Sequence, residues 1–157
     1  MLLVIVLVPI LVVVSCSALF VGGVTAVQDQ RAGGTLPIGQ TFTYRDGTAL
    51  TVADVKAYKA SNPYSVAKDE AAYQGTVTVV NGTRSPQNTV TVTINITVAG
   101  TAAERVYDAL PPTQDLAPGQ TAKIPFAFKV KKGTTGPLQV SVSAGFNEPA
   151  FFTGSLK

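Results

Sequence analysis

Residues 88–98, NTVTVTINITV, decide the fold because polar and apolar side chains alternate from Thr89 to Val98. The apolar members are Val90, Val92, Ile94, Ile96 and Val98. Successive side chains of a β-strand point to opposite faces, so this spacing predicts a strand with one buried face. An amphipathic helix would instead repeat its apolar positions every three to four residues.

The same alternation recurs on both sides of this stretch. Further strands are predicted at 38–44, 49–58, 73–81, 104–109, 121–130 and 138–144. Within 49–58 the apolar set changes phase between Val52 and Val55, which predicts a bulge or a strand that changes sheets. Pro125 indicates that the strand 121–130 is bulged or lies near a sheet edge at that point. Residues 59–72 are predicted to form a surface loop, with a helical turn around 67–72.

Seven to eight short strands at regular spacing, with no amphipathic helix between them, predict an all-β fold. We expect an immunoglobulin-like antiparallel β-sandwich over residues 38–157. Residues 29–37, DQRAGGTLP, read as a flexible linker because they are polar and contain two adjacent glycines. The chain has one cysteine, Cys16, so a domain that begins after it has no internal disulfide.

Residues 1–28 have a different character, because no charged residue occurs before Asp29 and most side chains are aliphatic. The run is long enough for a transmembrane helix. Three alternatives remain: a retained helix, a lipoprotein signal ending in VVSC with Cys16 lipidated, and a signal peptide cleaved near Ala26. Each alternative predicts an extracytoplasmic domain, although the basic residues that usually precede such a segment are missing.

The composition argues against the common catalytic routes. The chain has no histidine, and its single cysteine lies in the apolar segment, so His-based triads and thiol nucleophiles are not expected. No phosphate-binding or dinucleotide-binding glycine pattern occurs, and no cofactor is predicted. Asp69, Glu70 and Asp108 have the ligand chemistry for calcium, but no loop of repeated Asp or Asn supports a metal site. A paired-carboxylate enzyme using Asp69 and Glu70 is the weaker alternative to a non-enzymatic protein.

Several segments resemble a known family. They are IGQTFTYRDGTALTV from Ile38, VTVVNGT from Val77, LAPGQTAKIPFAFKV from Leu116 and the closing GFNEPAFFTG. They are similar to actinobacterial proteins, anchored by a helix or by lipid, that carry one immunoglobulin-like domain of unknown function. That domain is similar in fold to a small secreted immunogenic protein of mycobacteria. The resemblance implies an extracytoplasmic location and no catalytic residues.

Two groups of residues are candidates for contact with a partner. The tail offers Glu148, Phe151 and Phe152, an acidic group beside two aromatic rings. The alternative is that the rings cover one end of the sandwich and Glu148 pairs locally. The second group is Lys129, Lys131 and Lys132, which could instead form a solvated strand end that discourages edge pairing.

The sequence therefore predicts a non-enzymatic, membrane-anchored extracytoplasmic module. Its partners would be the membrane, through residues 1–28, and an unknown envelope or membrane protein or other envelope component. The net charge of +3, from 12 basic and 9 acidic residues, is too mild to indicate nucleic-acid binding. The alternative is a cleaved, secreted structural or antigenic protein without a tight partner.

Overall fold

The computed structural model describes residues 31–107 and 113–157, which belong to one compact unit, Arg31–Lys157. The predicted anchor with Cys16 lies outside the described residues, as do Asp108 and the end of the predicted strand 104–109. In the part of the chain that is described, no helix has the length and apolar character needed to cross a membrane.

The described residues form twelve strands, most of the short ones at sheet edges or in a small ribbon. The strands are β1 (Thr35–Pro37), β2 (Thr41–Thr43), β3 (Ala49–Tyr58), β4 (Glu70–Val80), β5 (Gln87–Asn88), β6 (Val92–Val98), β7 (Thr101–Ala102), β8 (Glu104–Arg105), β9 (Asp115–Leu116), β10 (Thr121–Lys131), β11 (Gly136–Ala144) and β12 (Ala150–Leu156). The predicted number of strands, seven to eight, is lower than the twelve observed. Strands of two or three residues are too short to show an alternating pattern in the sequence.

Two five-stranded sheets build the sandwich. The first has the order β1-β12-β11-β6-β7 and the second the order β2-β3-β4-β10-β8, while β5 and β9 form a small ribbon. The strand pairs are antiparallel except β1 with β12, which is parallel. The chain changes between these two sheets four times, between β1 and β2, β4 and β6, β7 and β8, and β10 and β11. The predicted all-β, immunoglobulin-like sandwich is confirmed.

The core lies between the sheets and follows the predicted alternation. The second sheet contributes Val77 and Val79 from β4 and Ile124, Phe126 and Phe128 from β10. The first contributes Ile94, Ile96, Val140, Val142 and Phe152. All ten of these side chains are buried in one cluster. Burial of these side chains is the main favourable contribution to folding, since the domain contains no cysteine.

The phase change in β3 is a bulge, one of the two predicted alternatives. The register with β4 shifts between Ala53 and Lys56, and Asp54 has a φ of 57° there. The prediction for Pro125 is also confirmed. β10 pairs with β4 along its whole length but with β8 only at Phe128 and Lys129, so Pro125 lies where β10 has a single strand neighbour.

Four local predictions were wrong. Residues 35–37, predicted as linker, form β1, and the predicted strand 38–44 is interrupted at Gly39, whose φ of 97° turns the chain toward the second sheet. Residues 70–72 belong to β4 and form no helical turn. Val90 is 71% exposed because residues 89–91 form a 3₁₀ turn, in which the Asn88 side chain accepts a hydrogen bond from the Val90 N–H.

Strand registers define two ends of the sandwich. β10 begins at Thr121 opposite Val80 and ends at Lys131 opposite Glu70. An 11-residue strand spans roughly 33 Å, at about 3.3 Å per residue. We call the end with Thr121, Ala49 and Ala150 the strap end, after the segment 31–38 that is described below. The opposite end, with Lys131 and Gly136, is the lysine end.

Candidate functional site

Residues 31–38, which we call the strap, run along β12 at the strap end. The Glu148 N–H donates to the Arg31 carbonyl at 2.8 Å, and the Phe151 N–H donates to the Gly34 carbonyl at 2.7 Å. Further along, the Ile38 N–H donates to the Thr153 carbonyl at 2.9 Å. The residues predicted as a flexible linker are therefore paired by their backbone to the last strand.

The two adjacent glycines of the strap permit close contact. A Cβ at Gly33 would lie 1.9 Å from the Pro149 carbonyl oxygen, and one at Gly34 would lie 2.5 Å from the Phe42 ring. Real side chains do not approach that closely, so Gly33 requires glycine unless the strap moves, and a side chain at Gly34 would have to displace the Phe42 ring. Reading this glycine pair as a sign of flexibility was wrong, because it serves packing.

Tyr44 ties the same end together from the second sheet. Its hydroxyl donates to the Glu148 carbonyl at 2.6 Å, and its side chain is buried. Burial, together with the nearby carboxylates of Asp46 and Glu148, raises the pKa of Tyr44 to about 12. The Asn147 amide also donates to the Asp46 carboxylate at 3.0 Å. These contacts hold the loop before β12 against the turn after β2.

The strap and the tail together line a shallow groove of about 360 Å³. Its lining residues are Gly33, Gly34, Thr35, Glu148, Pro149 and Phe151. The structure thus brings together two of the three predicted tail residues, with Glu148 exposed and Phe151 half-buried. Phe152 is fully buried in the core and is unavailable to a partner, which corrects that part of the prediction. Strand alternation explains the difference, because neighbouring residues of β12 face opposite sides.

The strap end also exposes an aromatic ring that the sequence did not single out. Phe146 is 89% exposed, and the Arg31 guanidinium lies 5.9 Å from its ring centroid. Three phenylalanines, Phe146, Phe151 and Phe152, lie within a stretch of seven residues. Only their positions before and within β12 distinguish exposed from buried rings.

At the lysine end, the predicted trio does not act as one group. Lys129 lies between two carboxylates, with its Nζ 3.2 Å from Glu70 and 3.3 Å from Glu104. Its hydrogen bond to Glu70, then that to Glu104, raises the pKa of Lys129. The Ala67 N–H donates to Glu70 and, with Lys129, lowers the pKa of Glu70. Lys129 is therefore an ion-pair partner within the domain, unlike the other two lysines of the trio.

Lys131 and Lys132 are exposed and lie beside a second basic segment. The Lys132 N–H donates to the Asp69 carbonyl at 2.8 Å, and the Lys132 ammonium donates to the Lys68 carbonyl. These bonds hold the β10–β11 turn against the β3–β4 loop. That loop carries exposed Lys59 and Lys68 and the Tyr64 ring, which is 93% exposed. We call Lys59, Tyr64, Lys68, Lys131 and Lys132 the lysine face.

The sequence alone could not predict that these residues lie near one another. The charges were visible, but Lys68 and Lys132 are 64 residues apart. Tyr64 follows Pro63 in a polar loop, and its exposure depends on the turn in which the Asn62 side chain accepts from the Tyr64 N–H. Because the residues around Tyr64 do not alternate between apolar and polar, the sequence does not predict whether its side chain is exposed or buried.

Within residues 31–107 and 113–157, no group of three or more His, Cys, Asp or Glu is arranged to hold a metal ion. Of the carboxylates considered for calcium, Glu70 bonds Lys129 and the Ala67 N–H. Asp108 lies outside the described residues.

Comparisons with known proteins agree on the architecture. No protein-family model and no curated protein matches the chain. The secreted protein MPT63 of Mycobacterium tuberculosis is similar in structure, with a TM-score of 0.58 at 19% identity over 76% of this chain and 96% of MPT63. A conserved hypothetical protein of Bacillus anthracis is similar with a TM-score of 0.54 at 16% identity, over 72% of this chain and 93% of its own.

The ycdA protein of Bacillus subtilis, a candidate lipoprotein, is similar with a TM-score of 0.55 at 15% identity over 74% of this chain. This chain spans only 38% of ycdA. The expected likeness in fold to a small secreted mycobacterial protein is confirmed. At these identities the comparisons establish a shared β-sandwich fold and nothing finer.

Proposed function

We propose that this chain is a non-enzymatic, extracytoplasmic β-sandwich module. Residues 1–28 hold it at a membrane, and the lysine face binds a component of the cell envelope. The chain enters the sandwich at the strap end, and the lysine face lies at the other end of the sandwich.

The observation that carries this proposal is the separation of the two ends. The domain joins the preceding residues at Arg31, whose carbonyl is bonded at the strap end. Lys131 lies at the other end of the long strands, roughly 33 Å away at about 3.3 Å per residue. A module tethered at one end would present its opposite loops to a partner, as loops on a rigid scaffold commonly do.

Two further features support an extracytoplasmic location. The apolar run before Asp29 is long enough to span a bilayer. The fold is similar to that of a protein secreted by a mycobacterium and to part of a candidate lipoprotein of Bacillus.

The second candidate is a secreted form of the protein. The position of the strap supports it, because cleavage before the strap would leave the folded domain intact. Cleavage near Ala26 would leave Arg31 and the rest of the strap attached to the domain. Release would therefore preserve the backbone bonds to Glu148 and Phe151. The likeness to a secreted protein supports the same alternative.

The test is site-specific photo-cross-linking of the full-length protein in its own cells. A photoreactive phenylalanine analogue replaces Tyr64 in one variant and Phe146 in a matched control, since these rings are 93% and 89% exposed. We expect a reproducible adduct from position 64 and none from position 146, with the protein in the membrane fraction.

An adduct from position 146 alone, or none from either position, would contradict a binding role for the lysine face. Mass spectrometry of the N-terminal peptide separates the two candidates. A mature protein beginning at Val27 in the medium would exclude the anchored form.

A further inference from the structure

We infer that the strap and β12 form a mechanical clamp, a strand pair that keeps the domain folded when it is pulled between Arg31 and Lys157. The inference goes beyond the proposed function, because it concerns how the domain withstands tension and requires no partner at the lysine face.

The clamp depends on the place of the two terminal strands in the fold. β1 is the first strand of the described domain and β12 is the last, and they are neighbours in the first sheet. β1 lies at the edge of that sheet, so β12 is the strand to which it is hydrogen-bonded. A force on the chain before Arg31 and after Leu156 therefore reaches these two strands first and passes directly across the contact between them.

The direction of the two strands determines how that force acts. β1 pairs with residues 151–153 of β12 in parallel. The chain enters β1 from Arg31 at the strap end and leaves β12 at the lysine end, where Leu156 lies opposite Gly136. A pull between the two ends therefore draws the strands in opposite directions along their own axes.

Sliding two strands past each other is harder than peeling them apart. The hydrogen bonds between strands run across the strand axes, with a slant in a parallel pair. When the strands are drawn along their axes, these bonds carry the load together. When two strands are separated from one end, the bonds break one after another. The parallel pair of β1 and β12 places its bonds in the first arrangement.

Backbone bonds occur along the whole length of the strap. Besides the pairing within β1, three bonds join the strap to β12 and to the residue pair before it. They run from the Glu148 N–H to the Arg31 carbonyl at 2.8 Å, from the Phe151 N–H to the Gly34 carbonyl at 2.7 Å and from the Ile38 N–H to the Thr153 carbonyl at 2.9 Å. The load is therefore distributed from one end of the strap to the other.

Side chains oppose sliding as well. Leu36 and Ile38 are partly buried and pack against the core. Ile38 lies over Gly154, where a Cβ would be 3.0 Å from the Ile38 Cδ1. Pairing that is shifted by one residue would turn Leu36 to the opposite face of the sheet, because side-chain direction alternates along a strand. The strap must therefore lose these apolar contacts before it moves along β12.

The test pulls the full-length protein, held in phosphatidylcholine nanodiscs, with optical tweezers attached to pairs of cysteines. Every variant carries Cys16→Ser, so that the introduced cysteines are the only thiols. The sliding pair combines Arg31→Cys with Lys157→Cys. The matched peeling pair combines Arg31→Cys with Phe146→Cys, whose position is 89% exposed and precedes β12 at the strap end. The second pair opens the same strap bonds beginning at residue 31.

We expect the first rupture of the sliding pair to need about three times the force of the peeling pair, because three backbone bonds share the load in one geometry and break singly in the other. The sliding pair should unfold in a single step of roughly 400 Å, at about 3.3–3.6 Å per extended residue. Equal rupture forces would overturn the inference. An earlier step of roughly 25 Å at low force would overturn it too, since that is about the extended length of residues 31–38.

Two substitutions separate the clamp from the overall stability of the domain. Ile38→Ala removes the side chain over Gly154 and keeps the N–H that donates to the Thr153 carbonyl. We expect it to lower the rupture force of the sliding pair and to leave the peeling pair unchanged, because peeling begins at Arg31. The control, Ile124→Val, shortens a buried side chain of β10, outside the path of the load.

The control should lower the stability measured by urea denaturation and leave the rupture force of the sliding pair unchanged. An equal loss of rupture force in the two variants would overturn the inference, because the resistance would then come from the core as a whole.

Discussion

The two ends of this sandwich are built from different interactions. At the strap end, backbone bonds join residues 31–38 to β12, two glycines lie against Pro149 and Phe42, and Tyr44 is buried. At the lysine end, Lys131, Lys132 and Tyr64 are exposed on a turn and a loop. The comparison indicates that stability depends on one end, while the other has side chains free to contact a partner. Substitutions should therefore act on stability at the strap end and on binding at the lysine end.

The largest expected effect is on the strap glycine. Gly33→Val puts a branched side chain where even a Cβ would lie 1.9 Å from the Pro149 carbonyl oxygen. The strap must then separate from β12, and we expect a loss of about 3 kcal/mol in the free energy of unfolding, at the upper end of overpacking costs. Urea denaturation measures this loss in the free energy of unfolding. The control is Thr35→Ala, at an exposed position nearby. A change below about 0.5 kcal/mol, the range of surface substitutions, would show that the strap does not stabilise the domain.

Tyr44→Phe should have the next largest effect. The substitution keeps the ring but leaves the Glu148 carbonyl without the hydroxyl that donates to it at 2.6 Å. Loss of such a bond at a buried site costs about 1–2 kcal/mol. Tyr64→Phe is the matched control at the lysine end, because that ring is 93% exposed and should leave stability unchanged. Equal effects of the two substitutions would remove the distinction between the ends.

Alkaline pH should also act through Tyr44. Its pKa is about 12 in the folded protein and 10.0 in an ordinary tyrosine, so the folded state holds this proton more tightly. The contribution is fully present below pH 10 and is lost as the pH rises toward 12. Unfolding free energy should fall over that window in the wild type and fall less in Tyr44→Phe. Parallel curves for the two proteins would exclude Tyr44 as the source.

The smallest effect on stability is expected at the lysine end. The Ala67 N–H and Lys129 lower the pKa of Glu70, so its contribution is present above the ordinary carboxyl pKa and is lost as the pH falls through the lowered value. Glu70→Gln should reduce stability at neutral pH only slightly and remove this part of the acid dependence, because exposed ion pairs contribute little. A loss as large as that of Gly33→Val would mean that this end also supports the fold.

Much of the fold could be predicted from the sequence. Alternation within residues 88–98, 121–130 and 138–144 identified strands and buried faces, and the phase change in β3 indicated its bulge. The candidate site was predicted less well. Glu148 and Phe151 do line one groove, but Phe152 is buried and Lys129 is paired. Tyr64 and Phe146 carried no periodic signal that would reveal their exposure.

The sequence by itself determined the all-β class, the core residues and the change of character at Asp29. These follow from local patterns, since a period of two belongs to one strand and needs no knowledge of its neighbours. Only the tertiary structure decided that Gly33 and Gly34 pack as a strap and that Lys132 joins Lys68. Gly33 meets Pro149 across 116 positions, and Lys132 meets Lys68 across 64. Such contacts depend on strand order and register, which local residue patterns do not encode.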